Sequence, residues 1–207
     1  MDLFASEKNN TPIKLALADA EITYYPSFFA SEKALEYFEQ LLNEVEWQQD
    51  NIKIFGKVYA QPRLTALYGI NEASYRYSGI TMFPKPFNAI LKEIKINIEA
   101  RCNVKFTTVL LNYYRDGSDS NGWHSDDEKE LGKNPVIASV SLGGERTFRL
   151  RHKKDKTQKK NLILQHGSLL IMGGETQHHW HHCIPKSKKD IKPRINLTFR
   201  VISPTTK

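Results

Sequence analysis

The segment Trp123-His124-Ser125-Asp126-Asp127-Glu128 sets an imidazole and a carboxylate two residues apart. Side chains alternate with period 2 along an extended segment, so His124 and Asp126 point the same way if this one is extended. A second cluster, His178-His179-Trp180-His181-His182, follows about fifty residues downstream. One histidine from it, joined to His124 and Asp126, would give the two-imidazole, one-carboxylate face that holds non-haem iron with positions left open. The pair alone is weak evidence. With 7 histidines and 23 acids in 207 residues, roughly 0.8 His-x-acid pairs arise by chance. Spacing does not choose among the four histidines downstream.

The elements around these residues strengthen the case. From Phe106 onward, residues 106–114 (FTTVLLNYY), 136–142, 147–152, 161–165, 168–172, the histidine-rich segment and 194–202 (RINLTFRVI) read as strands. Asp116-Gly117, Gly143-Gly144, His166-Gly167 and Gly173-Gly174 supply the turns between them. Seven or eight short strands in about a hundred residues predict a double-sheet jelly roll. On the last strand Arg194, Thr198 and Arg200 share a face. Two arginines and a hydroxyl there are costly without an anion, and a dicarboxylate would suit them. Asn112 and Tyr114 share a face of an earlier strand and can add donors.

Ahead of the strands the pattern is helical in two places. Ser31 is read as an N-cap, and Leu35, Phe38, Leu42 and Val45 recur at helical spacing over residues 32–46. Pro84 and Pro86 introduce a second helix with Phe87, Ile90, Leu91, Ile94 and Ile98 on its apolar face. Between them, residues 52–55 (IKIF) alternate as a strand ending at Gly56. Pro62-Arg63 and Tyr68-Gly69 read as irregular connections, and Tyr75 and Tyr77 share a face if extended. Residues 21–29 (EITYYPSFF) read as a strand leading to a turn. The expected organisation is one structural domain: a loose lead-in at 1–20, helices and connections over 21–105, and the jelly roll over 106–207.

The composition, 40% hydrophobic and 26% charged, is that of a globular domain. No apolar run approaches a membrane span, and the N-terminus has no secretory h-region. Cys102 and Cys183 make no disulfide framework, so a reducing compartment is expected, cytoplasmic, or nuclear in a eukaryote, and not secreted. The net charge of +7 argues for an anionic partner, nucleic acid before membrane. Residues 151–160 carry six Lys or Arg against one Asp, and residues 185–194 five against one.

The stretches LNYYRDG, WHSDDE, IASVSLGGERTFRLRHK, HGSLLIM and PRINLTFR resemble the AlkB family of iron(II)- and 2-oxoglutarate-dependent nucleic-acid dealkylases. The likeness is greatest to its duplex-DNA-repair branch and runs from about Tyr24 to Ile202. It implies an α+β chain: a double-stranded β-helix (jelly roll) with N-terminal helices and a nucleotide-recognition lid. It also implies iron(II) on His124, Asp126 and His182, the last because a distal histidine precedes a residue, an aliphatic position and proline, as in HCIP. Asn112, Tyr114, Arg194, Thr198 and Arg200 match 2-oxoglutarate positions, with Arg194 on the distal carboxylate. Asp127 matches a contact to the lesion base, Tyr75, Arg76 and Tyr77 fall on the lid, and Phe55-Gly56-Lys57 resembles a wedge that fills the gap left by a flipped base. The sequence departs from the family in its extra histidines His178, His179 and His181.

The implied reaction is oxidative removal of N-alkyl groups, as from 1-methyladenine or 3-methylcytosine, with O2 and 2-oxoglutarate as cosubstrates and release of formaldehyde and succinate. The implied partner is alkylated DNA, duplex first, with single-stranded DNA or RNA as alternatives, acted on by a monomer. RNA demethylation, protein hydroxylation and a non-catalytic nucleic-acid-binding module are the competing readings.

Overall fold

The computed structural model describes residues 11–54, 56–70, 75–77 and 80–202, with backbone alone at 53, 54, 75–77, 80 and 81. Its first half runs β1 (Ile13–Lys14), β2 (Glu21–Tyr25), α1 (Ser31–Glu44), β3 (Asn51–Ile54), β4 (Lys57–Ala60), β5 (Leu64–Gly69), β6 (Tyr75–Tyr77), β7 (Ile80–Met82), β8 (Lys85–Pro86) and α2 (Ala89–Cys102). The second half is nearly all strand: β9 (Thr108–Tyr114), β10 (Asn121–His124), β11 (Ile137–Gly143), β12 (Arg146–His152), β13 (Lys159–Leu164) and β14 (Ser168–Gly173). A one-turn α3 (Thr176–His179), β15 (Trp180–Ile184) and β16 (Arg194–Arg200) complete it. Among the described residues no helix is long and apolar enough to cross a membrane.

Two sheets form the frame. The large one has the order β1-β2-β14-β11-β16-β9-β5-β8, and the small one β10-β15-β12-β13. Period-2 alternation gives each large-sheet strand two jobs. On β16, Ile195, Leu197 and Phe199 belong to the cluster shared with both helices, whereas Arg194, Asn196, Thr198 and Arg200 line a cavity. On β9, Val109 and Leu111 pack toward the helices while Leu110, Asn112 and Tyr114 line the same cavity. A second core cluster joins Leu110, Ile137, Leu170 and Met172 of the large sheet to Phe148, Leu150, Trp180 and Ile184 of the small one.

The helices brace the other side of the large sheet. In α2, Leu91, Ile94 and Ile98 are fully buried, each removing apolar surface worth about 1.5–3 kcal/mol. Asn88 caps this helix, its side-chain oxygen accepting the Leu91 N–H at 2.9 Å. The expected stripe of α1 is met in part: Val45 is buried and Phe38 and Leu42 pack at the edge of the core. Ala34, Tyr37 and Leu41 are buried, while Leu35 is half exposed. Tyr37 takes that position because its ring reaches the core and its hydroxyl donates to Glu93 of α2 at 2.7 Å. Ser31 is the first helical residue, and the cap is Ala30 with no side-chain bond.

Two further expectations are corrected. Tyr68-Gly69 is no irregular connection: it ends β5, paired with Val109 and Thr108 of β9. The histidine-rich segment is not one strand either, since residues 176–179 coil into α3 before β15 begins at Trp180. Thr176 and Gln177 are buried there, so side-chain bonds at this bend replace ladder bonds. The expected strand at 52–55 is β3, hairpinned to β4 through Gly56 at φ +79°.

Candidate active site

His124 ends β10, and Asp126 lies just beyond it, its backbone N–H donated to the side-chain oxygen of Gln177 at 2.9 Å. β15 pairs with β10 so that His182 stands opposite His124. The two rings meet edge to face with centroids 4.3 Å apart, and His182 also stacks on Phe148 at 5.1 Å. His182 Nε2 is 3.7 Å from Asp126 Oδ2, and one ligand atom from each of His124, Asp126 and His182 lies within 4.8 Å of the other two. His178, His179 and His181 are not in this group.

Hydrogen bonding orients the donors. His124 Nδ1 is 2.8 Å from the Gly122 carbonyl. A carbonyl only accepts, so Nδ1 carries the hydrogen and Nε2 keeps its lone pair. Asp126 is ion-paired with Arg200, both buried. Burial pushes the Asp126 carboxyl up, but Arg200 and the two imidazoles outweigh it and hold it at about 2. Burial lowers His124, and burial with the neighbouring His124 brings His182 down to about 3. At neutral pH the three groups are an ionised carboxylate and two neutral rings, the forms that bind a metal.

Beside them lies a slot for an anion. Arg194 is buried in the centre of the large sheet, with Nη2 donating to Ser141 at 2.9 Å and its guanidinium 5.1 Å over the Tyr114 ring. Its Nε and Nη1 are buried without a hydrogen-bond partner. An unpartnered buried cationic donor is expensive unless a ligand meets it. Burial has already lowered Arg194 to about 10, so it remains charged. Asn112 lines the same cavity with its Oδ1 accepting from Arg63 at 2.7 Å, which commits its amide NH2 group elsewhere. Thr198 donates to Asn196 Oδ1 at 3.1 Å.

Sequence reasoning missed three residues that set this geometry. Gln177 fixes Asp126 through its backbone, Arg63 fixes Asn112, and buried Arg146 donates to the carbonyls of Asp116, Asp119 and Pro185, tying two loops at the cavity rim. A buried polar residue outside any motif leaves little local trace; Arg63 was passed over in a Pro-Arg turn. Asp127 is held by Lys153 Nζ at 2.9 Å, and Lys153 also donates to the Gln177 carbonyl at 2.8 Å. Lys57 and Gly56 lie exposed at the β3–β4 hairpin. Phe55 lies outside the described residues, as do the side chains of Tyr75, Arg76 and Tyr77, whose backbone forms β6 paired with β7.

Two packed sheets with a His-Asp-His face and a buried arginine between them define an oxygenase of the iron(II) and 2-oxoglutarate class. The sequence model of the 2OG-Fe(II) oxygenase superfamily matches residues 21–200. DNA oxidative demethylase ALKBH2 of Bos taurus is 40% identical over 193 residues, covering 88% of this chain and 69% of that one. Alpha-ketoglutarate-dependent dioxygenase alkB homolog 3 of Homo sapiens is 42% identical over 194 residues, covering 89% of this chain and 67% of that one. A solved structure titled "The structure of OsALKBH1" superposes with a TM-score of 0.64 at 17% identity, over 92% of this chain and all of that one, a likeness of fold. The chain belongs to the 2OG-Fe(II) oxygenase superfamily and, within it, to the AlkB family. It is a dioxygenase that uses iron(II), 2-oxoglutarate and O2.

Proposed function

We propose that this protein is an oxidative DNA dealkylase acting on N-alkylated bases such as 1-methyladenine and 3-methylcytosine. The observation that carries the reading is the His124, Asp126 and His182 set, its last two members buried, opening onto the same cavity as Arg194, whose Nε and Nη1 have no hydrogen-bond partner. The name of one relative, DNA oxidative demethylase ALKBH2, supports DNA as the substrate.

In this reading His124, Asp126 and His182 hold iron(II), and Arg194 takes the far carboxylate of 2-oxoglutarate as a charge-assisted pair. Asn112 contributes the NH2 group left over from its bond to Arg63, Tyr114 the ring under Arg194, and Thr198 its place on the cavity wall. Arg200 keeps Asp126 ionised and aimed. With iron and 2-oxoglutarate bound, the chemistry supplied is oxidative decarboxylation to succinate and carbon dioxide coupled to hydroxylation of the N-alkyl carbon. The resulting hemiaminal then collapses to formaldehyde and the restored base.

The reactive alkyl group sits on a Watson–Crick edge, so the base must leave the stack, and a base already unable to pair leaves more cheaply. Asp127 offers a carboxylate to a cationic methylated ring. The wedge and lid roles are assigned in this reading to Phe55, Gly56 and Lys57 and to Tyr75, Arg76 and Tyr77. The test is anaerobic incubation with iron(II), 2-oxoglutarate and an oligonucleotide carrying 1-methyladenine, followed by oxygen. Succinate and restored adenine are expected, and the absence of both refutes the reading.

A further inference from the structure

One face of the small sheet has no part in the chemistry above. On β12, Phe148 and Leu150 point into the core, so Arg149 and Arg151 point out. On β10, Trp123 precedes His124 and is 40% exposed. Arg151 reaches across β15 to lie over the Trp123 ring, its guanidinium carbon 4.1 Å from the centroid. Trp123, Arg149, Arg151, Lys159 and Asn161 line a cleft of about 320 Å³ with no carboxylate among its lining residues.

The charges in this cleft are arranged at a cost. Arg151 stands directly opposite Lys159 in the β12–β13 pairing, and like charges opposed across strands are destabilising. Among the described residues none of Arg149, Arg151 and Lys159 makes an ion pair. Arg151 Nε is buried without a hydrogen-bond partner. The indole braces one side of the guanidinium. An aromatic face beside three cations that make no ion pair among the described residues matches one ligand class: a nucleotide, with its base on the ring and its phosphate on the arginines.

We propose that the Trp123–Arg151 cleft binds a nucleotide flanking the target base, on a strand that is locally single. The cleft starts one residue from His124, on the opposite side of the strand from the metal-binding face. A lesion base in the cavity and its neighbour in the cleft would therefore straddle the edge of the small sheet. A base can lie on an external indole only when its own face is free. In a duplex the flanking base is held in the helix by its own pairing and cannot turn out onto the indole, so the cleft selects unpaired strand. The run of residues 151–160, basic in sequence, is thereby divided between a strand face that engages the ligand and a hairpin tip that does not.

This assignment rests on DNA being the substrate, and its test separates the two. Tryptophan fluorescence is titrated with a single-stranded oligonucleotide carrying 1-methyladenine, and with the same strand annealed to its complement. Trp180 is fully buried and Trp47 is packed on Tyr113, so quenching reports on Trp123. Quenching by the single strand is expected, and its loss in Trp123→Phe, where the fluorophore is gone. Trp123→Ala should weaken single-strand binding by roughly 5- to 100-fold, and duplex binding by less than about twofold. Arg151→Ala should lower the salt slope of single-strand binding by about 0.7. If wild-type protein restores adenine in these oligonucleotides but shows no quenching, or if Trp123→Ala binds single strand as tightly as wild type, the cleft is not a nucleotide site. An equal loss on both substrates overturns the single-strand assignment. Failure of adenine restoration itself strikes the dealkylase reading instead.

Discussion

The described residues hold two groups of two histidines and one aspartate close enough to share an ion: His124, Asp126 and His182, and Asp19, His152 and His179. Their residue types are identical and their chemistry differs. In the first, His124 Nδ1 donates to a carbonyl, so Nε2, which the Asn121 amide nitrogen approaches at 3.4 Å, is the nitrogen that carries the lone pair. In the second, His152 Nδ1 accepts the Asp155 backbone N–H at 2.9 Å. Its hydrogen must then sit on Nε2, the atom 3.4 Å from Asp19, so neither ring nitrogen has a lone pair left for a metal. The carboxylates differ as well. Asp126 is buried and paired with Arg200, whereas the Asp19 side chain is 51% exposed. A cluster of ligand-type residues becomes a metal site only when the hydrogen bonds behind it free the right nitrogen. The second group instead pins the turn before β2 to α3 and the β12–β13 hairpin.

The largest contrast should appear on removing ligands. Asp126→Asn or His182→Ala should lower succinate production more than about 100-fold, with matching loss of bound iron by metal analysis. His152→Ala and His179→Ala should keep one iron per chain, and a second iron lost with either would break the comparison. Next in size, Arg194→Met removes the charge facing the cavity and should raise the KM for 2-oxoglutarate at least about 30-fold, which steady-state kinetics would read.

Acid should act on the first group through its shifted protonation. Asp126 is held at about 2, below its ordinary 3.8, so its contribution is complete above about pH 4 and fades as pH falls toward 2. His182, held at about 3, resists protonation when folded but not when unfolded. Metal-free protein should therefore lose stability as pH drops below about 6.5, seen as a falling urea midpoint. His182→Phe, which keeps a ring against Phe148, should flatten that fall between pH 6.5 and 4. A fall as steep as in the wild type would mean that buried His182 is not its source. The smallest effect belongs to the second group. Asp19→Asn removes a half-exposed carboxylate beside two imidazoles and should cost less than about 1 kcal/mol by urea unfolding, with turnover unchanged.

Much of this was legible before any coordinates. Period-2 alternation placed Arg194, Thr198 and Arg200 on one face, and the structure puts all three on the cavity wall. Regular turn signals located the strands of the second half other than β10, and the apolar spacing of residues 87–98 located α2. Errors came where local pattern and tertiary packing compete. In α1 both candidate stripes are apolar enough, and only the sheet beneath selects Tyr37 over Leu35. Tyr68 looked like a turn residue because of the glycine after it, yet pairing with β9 keeps the chain extended.

The short segment WHSDDE and its strand neighbours were enough for the sequence to specify that an imidazole and a carboxylate would be offered together inside a β-rich domain. It could not rank the four histidines downstream, because each has the same ligand chemistry and they crowd into five residues. Tertiary structure made that choice by pairing and alternation. The α3 turn carries His178 and His179 away, the former to Asn134 and the latter to Asp19 and Glu175. Along β15, His181 falls on the outer face, and His182 alone is brought opposite His124, next to Asp126. Register across two strands far apart in the chain is a property of the folded sheet, and no spacing within either strand contains it.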